Sequence, residues 1–297
     1  MAIGITSDTF EENPYLTVQE YKNAPTSMNI SALVVGGNQA AQDAELESAI
    51  LRASSYMNEY LNQNLVATQY TETQRIRYSA SGGYYALHPN NAPILSLSQF
   101  YYGSNPNQLN ELDDCSLAWF EGQQIIIPGD YIGWNWTSQG PLQFGGSINQ
   151  SNWTFTKYTY IAGYVNTVLA VDAAVGATQI VVESARGIIA GQRYRIANGQ
   201  KNEYVYVSDN YVYGSLTVAL QTPLTFAQEA GATFYNLPNA LKQACILITS
   251  ALLKMRGDSS TTMQYTTSPS GNIAGSTRYG SEIQVALDMV NKYRRIR

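Results

Sequence analysis

Apolar residues with helical spacing occur in three stretches of this chain, and most of the long interval between the first two is typical of β-strands. The first stretch runs from Asp43 to Leu61, the second from Pro238 to Met255 and the third from Ser281 to Tyr293. In each one, apolar side chains recur every three or four residues and therefore share one face of a helix. Because helices and strands occupy separate parts of the sequence, the chain is predicted to have an α+β fold.

The ends of the helical stretches carry capping signals. Asp43 is predicted to cap the first helix, since Asp is a preferred N-cap residue. Ser281 and Gln284 have the spacing of a capping box, which predicts the start of the third helix. Residues 258–277 are dominated by Ser, Thr and Gly, and they are predicted to form a loop between the second and third helices.

The segment after the first helix predicts β-structure. A hairpin is expected from Thr68–Tyr78 and Tyr84–Leu87, with its turn at Gly82 and Gly83. Four further stretches have strand character: Ile94–Tyr102, Leu109–Leu117, Gln124–Ile127 and Trp153–Ala162. These strands are expected to form β-hairpins that accompany a small helical bundle.

Residues 167–236 differ in composition from their surroundings and predict an inserted all-β domain with a sandwich or barrel-like fold. Its five predicted strands are Ala177–Glu183, Gln192–Ala197, Glu203–Ser208, Ser215–Leu220 and Ala232–Asn236. Leu216, Val218 and Leu220 are expected to share one face. The predicted division of the chain is therefore an N-terminal arm (1–41), a core of helices and hairpins (42–166 and 237–297) and the inserted domain.

Charged residues make up only 13% of the chain, and tyrosine occurs 23 times. A surface rich in Tyr and uncharged polar groups packs against neighbours with little desolvation penalty, as in an assembly. Tyr and Thr also favour strands, so the same composition fits an ordinary β-rich protein. The net charge of −5 disfavours an extended face that grips nucleic-acid phosphates.

The sequence predicts a protein that is neither secreted nor membrane-bound. Residues 1–10 lack a basic start followed by an apolar run, and no apolar stretch approaches the roughly 18 residues of a membrane span. Cys115 and Cys245 are far apart, which predicts neither a disulfide framework nor a zinc site. Cys245 is expected on the buried face of its helix.

Few residues could support catalysis, and the chain is predicted not to be an enzyme and to need no cofactor or metal. His88 is the single histidine, which disfavours most triads and metal clusters. No Gly-rich phosphate-binding loop occurs. Glu111, Asp113 and Asp114 form the densest acidic group, but acids adjacent on a strand point to opposite faces. A solvated turn is the favoured interpretation of that group.

The last six positions hold four basic residues: Lys292, Arg294, Arg295 and Arg297. Cations at a helix C-terminus stabilise the helix dipole, which explains part of this pattern. They also suit a docking segment in which Tyr293 and Ile296 enter a partner's groove while the arginines pair with carboxylates. The spacing leaves both interpretations open.

The order of these features resembles the head-to-tail connector, or adaptor, proteins of tailed double-stranded DNA bacteriophages. The segments that carry the resemblance are LTVQEYKNAPT, DAELESAILRASSYMNEYLNQ and LPNALKQACILITSALLKMRG, about a third of the chain. Residues 176–207 and 215–238 are similar to small β modules inserted in phage structural proteins. By this resemblance, the core at 42–166 and 237–297 corresponds to the adaptor core.

The resemblance implies a structural subunit of the virion neck, assembled in the host cytoplasm. Twelve copies would form a ring under the portal protein, with tail or stopper proteins below and DNA passing through the lumen without specific binding. The portal-docking residues implied here are Lys292, Tyr293, Arg294, Arg295, Ile296 and Arg297.

Two alternatives remain open at the level of sequence. Trp119, Trp134, Trp136 and Trp153 would suit a carbohydrate-binding or tail-fibre-type adhesion module if they shared one exposed platform. The acidic group at positions 111, 113 and 114 would suit a sugar-cleaving enzyme if two of its carboxylates flanked one bond.

Overall fold

A computed structural model describes residues 13–30, 33–34, 36–79, 83–128, 153–199, 201–255 and 278–295. The fold is α+β, with antiparallel sheets and four α-helices in the described part of the chain. It divides into two compact units. We call residues 67–163 the sheet unit, and residues 12–66 with 164–297 the mixed unit.

The sheet unit contains seven strands. They are β1 (Thr68–Ser79), β2 (Tyr84–Leu87), β3 (Ile94–Asn105), β4 (Gln108–Glu111), β5 (Trp119–Glu121), β6 (Gln124–Pro128) and β7 (Trp153–Ala162), in the spatial order β4-β3-β7-β1-β2-β6-β5. The predicted hairpin is confirmed, since Tyr78 on β1 lies opposite Tyr85 on β2. The strand predicted over 109–117 is wrong in its second half, where Cys115–Leu117 forms a short 3-10 helix capped by the side chain of Asp114.

One face of this sheet carries the core, because alternate side chains of a strand point to opposite faces. Phe100, Tyr158 and Tyr160 are fully buried in it. The core also encloses the carboxylate of Glu72, which is 4% exposed. Glu72 accepts hydrogen bonds from the hydroxyls of Tyr158 and Tyr160 and from the backbone and side-chain nitrogens of Asn90.

The mixed unit contains the four helices: α1 (Val18–Asn23), α2 (Gln39–Leu61), α3 (Asn239–Met255) and α4 (Arg278–Val290), followed by a 3-10 turn (Asn291–Tyr293). Their predicted apolar faces pack into one core that includes Leu46, Ile50, Cys245 and Val290. Cys245 is fully buried, as predicted.

Two of the three predicted helix starts are wrong. Asn38 caps α2 through its side chain, whereas Asp43 lies inside the helix and forms an ion pair of 2.6 Å with Lys22. This pairing lowers the pKa of Asp43. Because α4 begins at Arg278, Ser281 lies within the helix and does not cap it.

The described part of the predicted arm includes a helix that the sequence interpretation missed. Thr17 and Glu20 form a capping box at the start of α1. Tyr15, Leu16 and Tyr21 are buried in the core shared with the other helices. The apolar side chains of this segment therefore complete a core whose other members come from distant parts of the sequence.

The six remaining strands are in the β region of the mixed unit: β8 (Asn166–Val168), β9 (Gln179–Val181), β10 (Arg193–Asn198), β11 (Lys201–Tyr206), β12 (Thr217–Ala219) and β13 (Thr233–Tyr235). They form a sheet of order β11-β10-β13-β8 and the pair β12-β9. The bridges Val207–Leu220 and Leu169–Val182 connect the pair to the sheet at both of the sheet's edges.

All five predicted strands of the β region overlap observed strands, and β8 was missed. The shared face predicted for Leu216, Val218 and Leu220 is partly wrong. Val218 and Leu220 are buried, but Leu216 precedes the strand and is 50% exposed.

A buried ion pair links α1, α3 and β13. The Lys242 ammonium lies 2.5 Å from Oε1 of Glu20, and the Thr233 hydroxyl donates to the same oxygen at 2.9 Å. The ammonium also lies 3.6 Å from the centre of the Tyr235 ring. Burial lowers the pKa of Lys242, and the Glu20 carboxylate opposes that shift.

The predicted division into arm, core and inserted domain stays a prediction. No helix within the described residues is long and apolar enough to cross a membrane.

Candidate functional site

The terminal segment, which we define as residues 291–295, lies against the C-terminal end of α2. The backbone N–H of Arg295 donates to the carbonyl of Leu61 at 3.0 Å. The side-chain amide of Asn62 donates to the carbonyl of Arg295 at 3.1 Å. The side-chain amide of Gln63 donates to the carbonyl of Tyr293 at 2.7 Å. These bonds use backbone atoms of the terminal segment, so they fix its path whatever its side chains are.

Residues at the C-terminal end of α2 make the contacts that hold this segment. Asn62, the C-cap residue, has a φ of 56° and ends the helix in the left-handed conformation, which Asn tolerates better than most residues. Tyr60 adds two contacts, because its hydroxyl donates to Asn291 at 3.1 Å and its ring lies 5.0 Å from the Arg294 guanidinium carbon. The sequence offered no signal for this contact, since the two segments are more than 200 residues apart.

The six predicted docking residues therefore fall into three groups. Lys292 and Arg294 are exposed. Tyr293 and Arg295 are half-buried, and the Tyr293 ring packs against the helical core. Ile296 and Arg297 lie outside the described residues. Docking through these residues stays a prediction, and the structure adds that the first part of the segment has a binding place on its own chain.

The acidic residues Glu111, Asp113 and Asp114 are solvent-exposed, and two of them have separate partners. A hydrogen bond with Glu111 raises the pKa of Tyr101. Asp114 accepts the backbone N–H of Ser116 at 2.8 Å, and its hydrogen bonds with Ser116 lower the pKa of Asp114. This is the arrangement of a capped surface turn. Of the predicted tryptophan platform, Trp119 is 44% exposed, while Trp134, Trp136 and the side chain of Trp153 lie outside the described residues.

His88 is exposed, and its backbone N–H donates to the side chain of Gln74 at 3.1 Å. Within the described ranges, no group of three or more His, Cys, Asp and Glu residues could hold a metal ion.

We expect the two cysteines to differ strongly in reactivity, because the thiolate is the reactive form. Burial raises the pKa of the Cys245 thiol to about 12, and burial also raises that of the half-buried Cys115. A maleimide added to the native protein at neutral pH should therefore label only the Cys115 thiol, and intact mass should show a single addition. The Cys115→Ser variant should remain unlabelled until it is unfolded. Rapid labelling of native Cys115→Ser protein would contradict the buried position of Cys245.

A shallow groove lies on the polar face of the sheet unit and has a volume of about 460 Å³. Its lining includes the amides of Gln69 and Gln99, the hydroxyl of Thr71, the Tyr101 side chain and Lys157. Such groups can exchange hydrogen bonds with a polar ligand.

Comparisons with protein-family models, with curated proteins and with solved structures gave no match.

Proposed function

We propose that this protein is a non-enzymatic subunit of the neck of a tailed bacteriophage, where copies form a ring that docks under the portal and connects the head to the tail. The observation that carries the proposal is the construction of the mixed unit. Helices from both ends of the sequence pack around one core, and that core presents a basic terminal segment at the surface. A docking subunit needs this combination of a rigid body and an exposed anchoring segment.

In this proposal the four helices act as a small bundle and the β region as an inserted barrel-like domain. Two observations support that description. The helices share one apolar core, and the hydrogen-bonded bridges connect the two sheets of the β region at both edges. A barrel without open edges would resist unwanted pairing with other chains during assembly.

The terminal segment supports portal docking through charge and through position. Lys292 and Arg294 are exposed cations on a chain with net charge −5, so they can pair with carboxylates of a partner. The bonds to Leu61, Asn62 and Gln63 hold the backbone beside them in one place. A pre-organised segment loses less conformational entropy on binding than a free one.

The low number of basic residues also suits a channel for DNA. A ring wall that gripped phosphates would retard packaging and ejection, whereas neutral or acidic positions would not. We expect lumen-facing positions to be predominantly uncharged or acidic. A ring reconstruction with an inner wall lined by Lys and Arg would contradict this part of the proposal.

The docking residues can be tested by charge reversal. The variant Lys292→Glu with Arg294→Glu should abolish attachment of tails to heads, because both cations would become repulsive toward an acidic partner. A matched control is Arg52→Glu with Arg75→Glu, which makes the same change in net charge at exposed positions elsewhere. Infectious particles are counted by titre, and necks are imaged by electron microscopy with a label on this protein.

The expected result is loss of infectious particles for the terminal variant alone, while circular dichroism shows that both proteins fold. Normal particles from the terminal variant would disprove portal docking by these residues. A label that is absent from the neck of wild-type particles would disprove the proposed function as a whole.

A second candidate, an adhesion module that binds carbohydrate, is favoured by the polar groove of the sheet unit. Amide and hydroxyl side chains beside an aromatic ring are the groups that recognise sugars. Binding of purified protein to a glycan array, lost on replacing Gln99 and Thr71 by Ala, would support it. Absence of binding together with ring particles in negative stain would exclude it.

A further inference from the structure

The outer face of the β10–β11 pair carries arginine and tyrosine side chains. Arg193 lies opposite Tyr206, and Arg195 lies opposite Tyr204. Tyr204 is 58% exposed and Tyr206 is 42% exposed. The guanidinium carbons of Arg193 and Arg195 lie 4.9 Å and 5.7 Å from the centre of the Tyr204 ring. We call these four residues the Arg–Tyr face.

On this side of the sheet, the side chains of β11 are exposed to solvent, whereas those of β13 are covered. Tyr235 on β13 lies opposite Arg195, is 5% exposed and belongs to the helical core. The helices of the mixed unit therefore cover the sheet at β13, and the cover does not extend over Tyr204 and Tyr206. Large aromatic side chains and arginine at solvent are the residue types that protein interfaces enrich.

No described carboxylate forms an ion pair with Arg193 or Arg195. The acid nearest in sequence, Glu203, accepts the backbone N–H groups of Thr225 and Phe226 at 2.7 Å and 3.3 Å. The Glu203 carboxylate is thereby held in a different set of contacts. The Arg–Tyr face thus keeps a positive charge that a partner can neutralise.

The sequence places opposite charges in two separate stretches. Residues 184–202 contain Arg186, Arg193, Arg195 and Lys201 and no acidic residue. Residues 78–156 contain Glu111, Asp113, Asp114, Glu121 and Asp130 and neither Lys nor Arg. This chain therefore carries a basic and an acidic stretch of complementary charge.

The acidic half has a surface form that suits binding. The segment from β4 to β5, residues 108–121, which we call the acidic segment, exposes four of these carboxylates. It also exposes Trp119 by 44% and Phe120 by 41% on the edge strand β5. Carboxylates next to aromatic rings match a surface of guanidinium groups next to aromatic rings, since guanidinium pairs with carboxylate and stacks on aromatic faces.

We propose that the Arg–Tyr face of one copy binds the acidic segment of a second copy of this chain. Because the two surfaces differ, each bound pair leaves one free surface of each kind, and further copies add in the same sense. Such a contact closes into a ring when the rotation between copies allows it. The inference deepens the proposed function and rests on it for the ring, by naming the surfaces through which neighbouring subunits meet.

Paired charge reversals test the contact. The first variant is Arg193→Glu with Arg195→Glu, the second is Asp113→Lys with Glu121→Lys, and the third combines all four changes. Self-association of the full chain is measured by sedimentation velocity at low salt, up to about 1 mM protein, where a contact of millimolar Kd is still detected. The control is Arg52→Glu with Arg75→Glu, at two exposed positions outside both surfaces, and circular dichroism verifies folding of every variant.

We expect the first and second variants each to weaken self-association at least about tenfold, since like charges would face each other across the contact. An equimolar mixture of these two variants, and the third variant alone, should associate like the wild type, because opposite charges are restored. The Tyr204→Ala variant should also weaken association, by removing the ring on which both guanidinium groups stack.

The proposal is overturned by a wild type that stays monomeric throughout this range, or by reversals that leave association unchanged. It is equally overturned if the equimolar mixture of the first and second variants fails to regain wild-type association. A single-stranded oligonucleotide of thymidines that binds the wild type and not the first variant would also overturn it, because the face would then bind nucleic acid. Ring particles that persist in the first and second variants would reject this contact and leave the neck function standing. Wild-type particles without labelled necks would reject the function and leave the contact to be judged by association alone.

Discussion

Replacing Glu20 with glutamine should lower the free energy of unfolding of the mixed unit by about 3–5 kcal/mol, because it leaves the buried ammonium of Lys242 without its carboxylate. Lys242 is 7% exposed, and its side chain cannot turn to water without leaving the contacts of Glu20 and Tyr235. The measurement is urea unfolding followed by far-ultraviolet circular dichroism, which reports on the helices.

The chain supplies a matched control for this prediction. Lys254 and Glu282 also form an ion pair between a lysine of α3 and a glutamate, at 2.7 Å, but their side chains are 30% and 32% exposed. Glu282→Gln should therefore change the free energy of unfolding by no more than about 1 kcal/mol. Adding Lys242→Met to Glu20→Gln should restore most of the lost stability, since an apolar side chain needs no counterion. Equal effects of Glu20→Gln and Glu282→Gln would show that burial does not govern these pairs.

The second large effect is expected in the sheet unit. Glu72→Leu should lower its free energy of unfolding by about 2–6 kcal/mol, because two buried hydroxyls lose their acceptor and each buried unsatisfied donor costs about 1–3 kcal/mol. These are the hydroxyls of Tyr158 and Tyr160, and two nitrogens of the half-buried Asn90 lose the same acceptor. All four tryptophans of the sequence fall between positions 67 and 163, so tryptophan fluorescence during urea unfolding reports on this unit.

One tyrosine substitution, made in two backgrounds, separates the hydrogen bonds from the packing. Tyr158→Phe removes one donor together with its hydrogen bond to Glu72, and it should lower the free energy of unfolding by no more than about 1–3 kcal/mol. In the Glu72→Leu background, Tyr158→Phe should recover part of the lost stability, because the unsatisfied hydroxyl is gone, whereas the Tyr160 hydroxyl is still needed as the acceptor for Asn91. If the two changes instead add their separate losses, the Tyr158 hydroxyl does not depend on Glu72.

The sequence predicted those elements whose signal lies within a dozen or so neighbouring residues. The apolar stripes of α2 and α3 were identified because a helix buries one face, and the hairpin of β1 and β2 because alternation surrounds a turn with two glycines. The starts of α2 and α4 were missed for a local reason of a different kind. Several polar residues near each start could serve as caps. Asp43 instead lies inside α2, where its carboxylate forms an ion pair with Lys22 of α1.

The candidate site divides in the same way. The basic character of positions 292–295 is visible in the sequence, and so is the separation of charge between residues 184–202 and 78–156. Their surroundings are not visible. The contact of the terminal segment with Leu61, Asn62 and Gln63, and the partner of Lys242 in Glu20, join residues more than 200 positions apart.

The sequence by itself determined most of the longer helical and extended segments, which side chains are apolar enough to be buried, and where the charges are located along the chain. These properties follow from periodicity and composition, which act between near neighbours. Only the tertiary structure decided that Tyr21, Glu72 and Lys242 are buried, and that the Arg–Tyr face is left open. The physical reason is that burial depends on which distant segments cover a surface. Ion pairs and hydrogen bonds between distant residues likewise depend on how the whole core packs.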